Sequence, residues 1–155
     1  IGHLYSPNEE RGIFKTIGYY ELSRISPDII NLPFNDNSFD VIFCNHVLEH
    51  VQDDTRAMKE LFRVMKKGGM GIFQVPQDLN RNVTFEDNSI TNPKERAKIF
   101  GQYDHVRVYG KDYFDKLRSI GFEVKEVNYS QKLSTEISSK YRLMEGELLP
   151  VVFKN

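Results

Sequence analysis

Three side chains that could bind a metal ion or move protons lie close together, with the spacing His46-x-x-Glu49-His50. Two histidines four residues apart on a helix can bind zinc, with the glutamate as a general base. A zinc peptidase, however, has this motif well inside a long helix, with a third ligand downstream. Here the motif comes directly after a buried strand, where a helix begins. We therefore predict that the chain binds no metal and that Glu49 and His50 fix this loop through hydrogen bonds.

Asn45 and His46 follow an apolar run, residues 39–44, that is typical of a buried parallel strand. In open α/β sheets, ligands bind outside the carboxyl ends of the strands. Asn45 is also a good residue to begin a helix, and the two roles are compatible. The pair is therefore a candidate binding site.

A helix is predicted after this site, because the sequence carries signals for both its start and its end. An acidic residue can cap the first turn, apolar residues form one face, lysines occupy the last turn and glycines end it. The candidate cap is Asp53 or Asp54, and the apolar face contains Ala57, Leu61, Val64 and Met65. Lys66 and Lys67 would lie in the last turn, and Gly68 and Gly69 would end the helix. Residues 70–75 then form a second buried strand, which Pro76 closes.

Three motifs surround these elements in a fixed order. Leu32-Pro33-Phe34 leads into the first strand, the run HVLEHV occupies residues 46–51, and the pattern ELxRVxKxGG occupies residues 60–69. Together they resemble the class I S-adenosylmethionine-dependent methyltransferases, in particular the methyltransferase type 11-like domain. The resemblance implies a three-layer α/β sandwich with a Rossmann-like, mostly parallel sheet and an antiparallel last strand. It also implies transfer of a methyl group from S-adenosylmethionine to a small-molecule acceptor.

The resemblance also implies which residues hold the cofactor. Asp28 would accept a hydrogen bond from the adenine amino group, and the backbone N–H of Ile29 would donate to the ring. Glu21 would accept from both ribose hydroxyls, which a carboxylate is suited to do. Asn45 and His46 would contact the methionine part and face the substrate. Alternatively, Asp28 is an ordinary turn residue, and Glu21 is a solvated glutamate at the end of a strand.

The first loop departs from the family pattern. We predict a strand over residues 2–6, a helix over 8–17 and a strand over 19–22, so that the loop contains Ser6 as its cofactor-binding residue. The family loop is rich in glycine because the backbone approaches the cofactor closely. Residues 5–9 contain no glycine. This favours an alternative function, a non-catalytic, degenerate methyltransferase domain that serves as a binding module.

Residues 77–92 are polar and without helical period, which is typical of a long surface loop or lid. A short helix should begin at Pro93 and end at Phe100. The next segment, residues 100–110, concentrates Asp104, His105 and Arg107. We predict that it packs across the carboxyl ends of the central strands and faces His46. His105 is the candidate general base, because its ordinary pKa is near neutrality. Alternatively, the three residues tie the segment down structurally.

The remaining chain predicts a helix over 111–120, an outer strand over 122–128, a partly helical stretch over 130–145 and a last strand over 148–153. The 155 residues suit a single domain, 1–155, and a net charge of −1 requires neither nucleic acid nor a membrane as partner. The single cysteine, Cys44, should be a buried thiol. A cytoplasmic location is the default expectation. The chain does not begin with Met, so a longer protein is compatible with the sequence.

Overall fold

Within the described residues, the central sheet has five strands, and four of them point the same way. The computed structural model describes residues 16–17, 28–143 and 146–155. In spatial order the strands are β1 (Thr16–Ile17), β2 (Phe39–Phe43), β3 (Met65–Ile72), β7 (Leu149–Phe153) and β6 (Glu123–Val127). The first three pair in parallel, whereas β7 is antiparallel to both of its neighbours. The predicted fold class, with its antiparallel last strand, is confirmed.

The first helix of the described chain, α1 (Asp54–Val64), begins where the sequence predicts. Asp53 is its N-cap, and its side chain accepts from the backbone N–H of Arg56 at 2.9 Å. Ala57, Leu61 and Val64 are fully buried on the face that packs against the sheet. Local capping and the apolar period therefore place this helix correctly.

The end of α1 was predicted wrongly. The helix stops at Val64, Met65 is already extended, and the lysines and glycines that follow belong to β3. Backbone N–H groups of Asn37 and Ser38 donate to the carbonyls of Arg63 and Val64. Lys154 donates to the carbonyls of residues 62, 63 and 65. These distant donors take up the free carbonyls at the helix end, so the helix stops early.

The strand β2 runs through the middle of the apolar core, as predicted. Ile42 is fully buried, and the Cys44 thiol just beyond the strand is buried as well. Burial raises the pKa of Cys44, which is the behaviour of an inert structural thiol. Phe73, which follows β3, packs edge-to-face on Phe122, with ring centroids 5.3 Å apart.

Thr16 and Ile17 form β1 and pair with Val41 and Ile42 of β2. The predicted helix over 8–17 is therefore wrong at its last two residues. A strand here satisfies backbone groups of β2 that a helix would leave open, and β-branched residues suit a strand. The predicted strands at 2–6 and 19–22 lie outside the described residues.

After β3 the chain leaves the sheet and returns to it. The polar loop carries a short strand, β4 (Phe85–Glu86), which pairs with β5 (Arg107–Val108). Between them, α2 (Pro93–Phe100) has the predicted bounds and is capped by Asn92. Next come α3 (Tyr113–Ile120), which Gly121 ends with a positive φ, then β6, α4 (Thr135–Lys140) and β7. None of the described helices has the length and apolarity needed to cross a membrane.

Candidate functional site

A cavity lies at the carboxyl edge of β2 and β3. Its volume is about 360 Å³, which is within the range of small-molecule sites. It is lined by His46, Val75, Pro76, Gln77, Leu79, Glu147 and Leu148. The chain segments that follow two parallel strands and precede the antiparallel one therefore meet here. This is the location that open α/β sheets use for ligands.

Backbone contacts to β3 hold Asn45 and His46 at this edge. The N–H of His46 donates to the carbonyl of Gln74 at 2.8 Å, and the side-chain oxygen of Asn45 accepts from the N–H of Gln74 at 3.2 Å. His46 has φ +55°, in the left-handed region, which costs a residue with a side chain about 1–2 kcal/mol. Strain of this kind is common at binding sites. Both side chains are exposed, and their cofactor role stays a prediction.

Asp28 forms a local turn in the structure. Its carboxylate accepts from the N–H of Ile30 at 3.2 Å, and its carbonyl accepts from the N–H of Asn31 at 2.8 Å. The side chain stays exposed, whereas Ile29 is buried in the core. Asp28 therefore forms the turn that was the alternative for this residue, and the adenine-binding role of Asp28 and Ile29 stays a prediction. Ser6 and Glu21 lie outside the described residues.

The first and third sequence motifs contact each other. Glu60 on α1 accepts from the N–H of Leu32 at 2.9 Å. Arg63, one turn later, donates to the carbonyls of Leu32 and Phe34 at 3.0 and 2.8 Å and pairs with Asp36 at 2.7 Å. The hydrogen bond from Arg63 lowers the pKa of Glu60. The helix thus clamps the loop that precedes β2, which explains why the two motifs occur together.

Residues 100–110, the cover segment, pack across the ends of both strands, as predicted, whereas their predicted position facing His46 stays a prediction. The N–H of Val106 donates to the carbonyl of Glu49 at 2.9 Å, in the 3₁₀ turn Leu48–His50 that follows β2. Tyr109 forms a β-bridge with Gln77, and its carbonyl accepts from the N–H of Asp78 at 2.9 Å. The segment therefore connects the turn after β2 to the chain after β3.

Arg107 anchors the cover segment. Its guanidinium is buried and donates to the carbonyls of Leu48, Val51 and Gln52, and it pairs with Glu86 at 3.0 Å. Three backbone carbonyls of one turn thereby bind one side chain. These contacts support a structural role for Arg107, which is to hold the cover segment in place.

Asp54 is the second anchor, and the sequence indicated only a capping role for it. Its carboxylate accepts from the hydroxyl of Tyr109 at 2.8 Å and from Lys116 of α3 at 2.9 Å. Burial alone would raise the pKa of Asp54, but the Lys116 hydrogen bond and the charge of Arg107 outweigh it and hold the pKa below its usual value. No local pattern marks this role, because the partners come from distant parts of the chain.

His105 lies beside His50 and does not line the cavity. The two rings pack edge-to-face with centroids 4.7 Å apart, and His105 is buried. Its Nδ1 lies 3.1 Å from the carbonyl oxygen of Phe100. A carboxylate oxygen of Asp104 lies 3.3 Å from Nδ1 of His50. The role of His105 as a base stays a prediction.

The side chain of Glu49 does not fix the loop by hydrogen bonds, contrary to the prediction. Both carboxylate oxygens are buried and have no hydrogen-bond partner within the described part of the chain. Nδ1 of His46 lies 3.5 Å away and Nε2 of His50 lies 3.8 Å away, which is ion-pair distance only. The backbone carbonyl of Glu49, rather than its side chain, holds the cover segment.

Comparisons with known proteins agree with this fold. Residues 12–73 match a family model described as a methyltransferase domain. The chain is 31% identical over 113 residues to the 2-phytyl-1,4-naphtoquinone methyltransferase of Nostoc punctiforme, covering 64% of this chain and 49% of that protein. It is 43% identical over 61 residues to the demethylmenaquinone methyltransferase of Staphylococcus epidermidis, covering 39% of this chain and 25% of that protein.

A solved structure shares the fold. The S-adenosylmethionine dependent methyltransferase from Mesorhizobium loti is 16% identical, has a TM-score of 0.53, and the match covers 81% of this chain and 65% of that chain. The predicted resemblance to class I S-adenosylmethionine-dependent methyltransferases is therefore confirmed. The chain spans half or less of the length of the two curated relatives described above.

Proposed function

We propose that this chain is the methyltransferase domain of an enzyme that moves a methyl group from S-adenosylmethionine to a small-molecule acceptor. The observation that carries the proposal is the location of His46. It belongs to the motif that the family resemblance rests on, and it lines the cavity of about 360 Å³ at the strand ends. A motif, a fold and a cavity thus agree on one place.

The described residues suit the cofactor in type and exposure. Asp28 is exposed and can accept a hydrogen bond from an amino group, and the exposed amide of Asn45 offers both donors and an acceptor. When bound, S-adenosylmethionine supplies a methyl group on a positively charged sulfur that is already a good leaving group. The residues of the chain then have to orient the acceptor in line with that methyl group and exclude water.

The acceptor that we propose is small and largely apolar. Val75, Pro76, Leu79 and Leu148 make up most of the cavity lining. The names of the two curated relatives, a naphtoquinone methyltransferase and a demethylmenaquinone methyltransferase, support an acceptor of this kind. A base is needed only if the acceptor must lose a proton. In that case His46 at the cavity is better placed than the buried His105.

S-adenosylhomocysteine, the product form of the cofactor, is the probe for this proposal. Because a ligand that binds only the native state stabilises it, a hundredfold excess over the dissociation constant should add about 2.7 kcal/mol. We expect a higher thermal midpoint, and calorimetry should give one site. If a chain shown by circular dichroism to be folded has no shift at millimolar ligand, the non-catalytic binding module becomes the better account.

Asp28→Ala locates the adenine pocket. Loss of one hydrogen bond to a neutral group should weaken S-adenosylhomocysteine binding by about 0.5–1.5 kcal/mol. Asp87→Ala is the matched control, because Asp87 makes the same turn contact with the N–H two residues on, at 2.9 Å. Equal affinities for the two variants would show that the adenine pocket lies elsewhere.

A further inference from the structure

Glu49, His50 and His105 bring three metal-ligating atoms together. One carboxylate oxygen and one ring nitrogen from each histidine all lie within 4.8 Å of one another. Ligands bound to one zinc ion at about 2.0–2.2 Å in tetrahedral geometry lie within about 3.5 Å of each other. Side-chain adjustments of about an ångström would therefore close this cluster around an ion.

The carboxylate of Glu49 points to a cation. Its side chain is only 2% exposed, and neither oxygen has a hydrogen-bond partner among the residues that the structure describes. A buried carboxylate without such partners is strongly destabilising, and buried charges are normally paired or bound to a metal. A divalent ion next to Glu49 would remove this unfavourable term.

Outer contacts engage one ring nitrogen of each histidine and leave the other available to an ion. Nδ1 of His105 lies 3.1 Å from the carbonyl oxygen of Phe100, which can only accept, so Nδ1 carries a proton and Nε2 of a neutral ring has a free lone pair. Nδ1 of His50 lies 3.3 Å from the carboxylate of Asp104, and its Nε2 faces Glu49. Backbone carbonyls and carboxylates are the groups that usually orient histidines bound to metals.

We propose that Glu49, His50 and His105 form a binding site for one divalent transition-metal ion of the zinc type. Two imidazoles and one carboxylate suit such ions, whereas magnesium and calcium prefer oxygen ligands throughout. This proposal replaces the sequence-based prediction that the chain binds no metal, and its site differs from the one considered there, which paired His46 with His50 on a single helix. The third ligand comes instead from the cover segment. The proposal stands independently of methyl transfer, because it concerns metal binding alone.

Zinc and cobalt(II) added to tag-free, EDTA-treated protein are the probes. We expect one ion per chain by calorimetry, and a thermal midpoint about 5–10 °C higher at a hundredfold excess of zinc over its dissociation constant. Cobalt(II) should give the visible absorption of a nitrogen- and oxygen-bound ion. Magnesium at the same concentration should leave the midpoint unchanged.

Two substitutions distinguish this site from the alternative site formed by His46 and His50. His105→Gln should lower zinc affinity at least tenfold, whereas His46→Gln should lower it far less, because the exposed His46 is outside the cluster. The reverse order would replace our proposal with a surface site formed by His46 and His50. Absence of stoichiometric binding to the folded wild-type chain would overturn it altogether.

If His105→Gln fails to fold because His105 is buried, Asp104→Asn still tests the proposal. Asp104 is only partly buried and touches His50 as an outer contact, so the variant should fold normally. Loss of such outer contacts typically weakens metal binding by about 10–100-fold. Unchanged zinc affinity in Asp104→Asn would contradict the proposed orientation of His50.

Discussion

Two buried carboxylates, Glu49 and Asp54, lie five positions apart in the chain and have opposite surroundings. Asp54 accepts hydrogen bonds from Tyr109 and Lys116 and lies 3.6 Å from the guanidinium of Arg107. Glu49 has two histidines at ion-pair distance and no hydrogen bond to its carboxylate within the described chain. Burial alone therefore does not define what a carboxylate does.

The difference separates a structural anchor from a group available to a ligand. The partners of Asp54 come from the cover segment and from α3, so this carboxylate connects three parts of the fold. The neighbours of Glu49 are side chains that could share a metal ion with it. The two carboxylates should therefore respond differently to substitution, to acid and to metal.

The largest effect should come from Asp54→Ala. Removal of Asp54 leaves the half-buried Lys116 without this anion and Arg107 with its exposed partner Glu86, and breaking a buried ion pair typically lowers the free energy of unfolding by about 3–5 kcal/mol. Asp53→Ala is the matched control, because it removes only the N-cap of α1 and should cost about 1 kcal/mol. Urea unfolding of both variants measures this. Equal losses of stability in the two variants would show that Asp54 contributes no more than the N-cap Asp53 does.

Tyr109→Phe tests a single contact of the anchor. Its hydroxyl donates to Asp54 at 2.8 Å, and a hydrogen bond to a charged group contributes about 1.5–3 kcal/mol. Tyr103→Phe is the control, since Tyr103 is 63% exposed and its loss should change stability by less than about 0.5 kcal/mol. If Tyr109→Phe loses no more stability than Tyr103→Phe, the hydrogen bond from Tyr109 does not stabilise Asp54.

Acid should weaken the anchor. The pKa of Asp54 is below its usual value in the folded chain, so between the two pKa values the unfolded chain binds more protons. The stability from this group is therefore complete above the unfolded pKa of about 3.9 and is lost as the pH falls through the folded pKa. One such group contributes a slope of at most about 1.4 kcal/mol per pH unit. Unfolding of wild type and Asp54→Asn from pH 6 downward should show a shallower acid slope in the variant.

The smallest loss of stability should come from Glu49→Gln in metal-free protein. A neutral amide is less unfavourable to bury than an unpaired carboxylate, so we expect the variant to be as stable as wild type or more stable. Thermal unfolding in EDTA measures it. A loss of several kcal/mol would mean that His46 and His50 already pair with Glu49 as firmly as the neighbours of Asp54 do.

The sequence by itself determined the elements whose signals are local. Capping by Asp53 and Asn92 and the apolar period of Ala57, Leu61 and Val64 place the starts and faces of helices correctly. The apolar run of β2 and the polar pair that follows it place the candidate site at a strand end. The motifs also indicated the resemblance to methyltransferases, and the structure brings two of them into contact through Leu32 and Glu60.

Only the tertiary structure decided what depends on distant partners. The first described helix ends at Val64 because Asn37, Ser38 and Lys154 take its last carbonyls, and no local signal announces them. Asp54 becomes an anchor, and His105 joins Glu49 and His50, only because the cover segment folds back over the strand ends. A cap or a hydrophobic period acts within a few residues. A buried charge is instead satisfied, or left unsatisfied, by whichever side chains the fold brings to it.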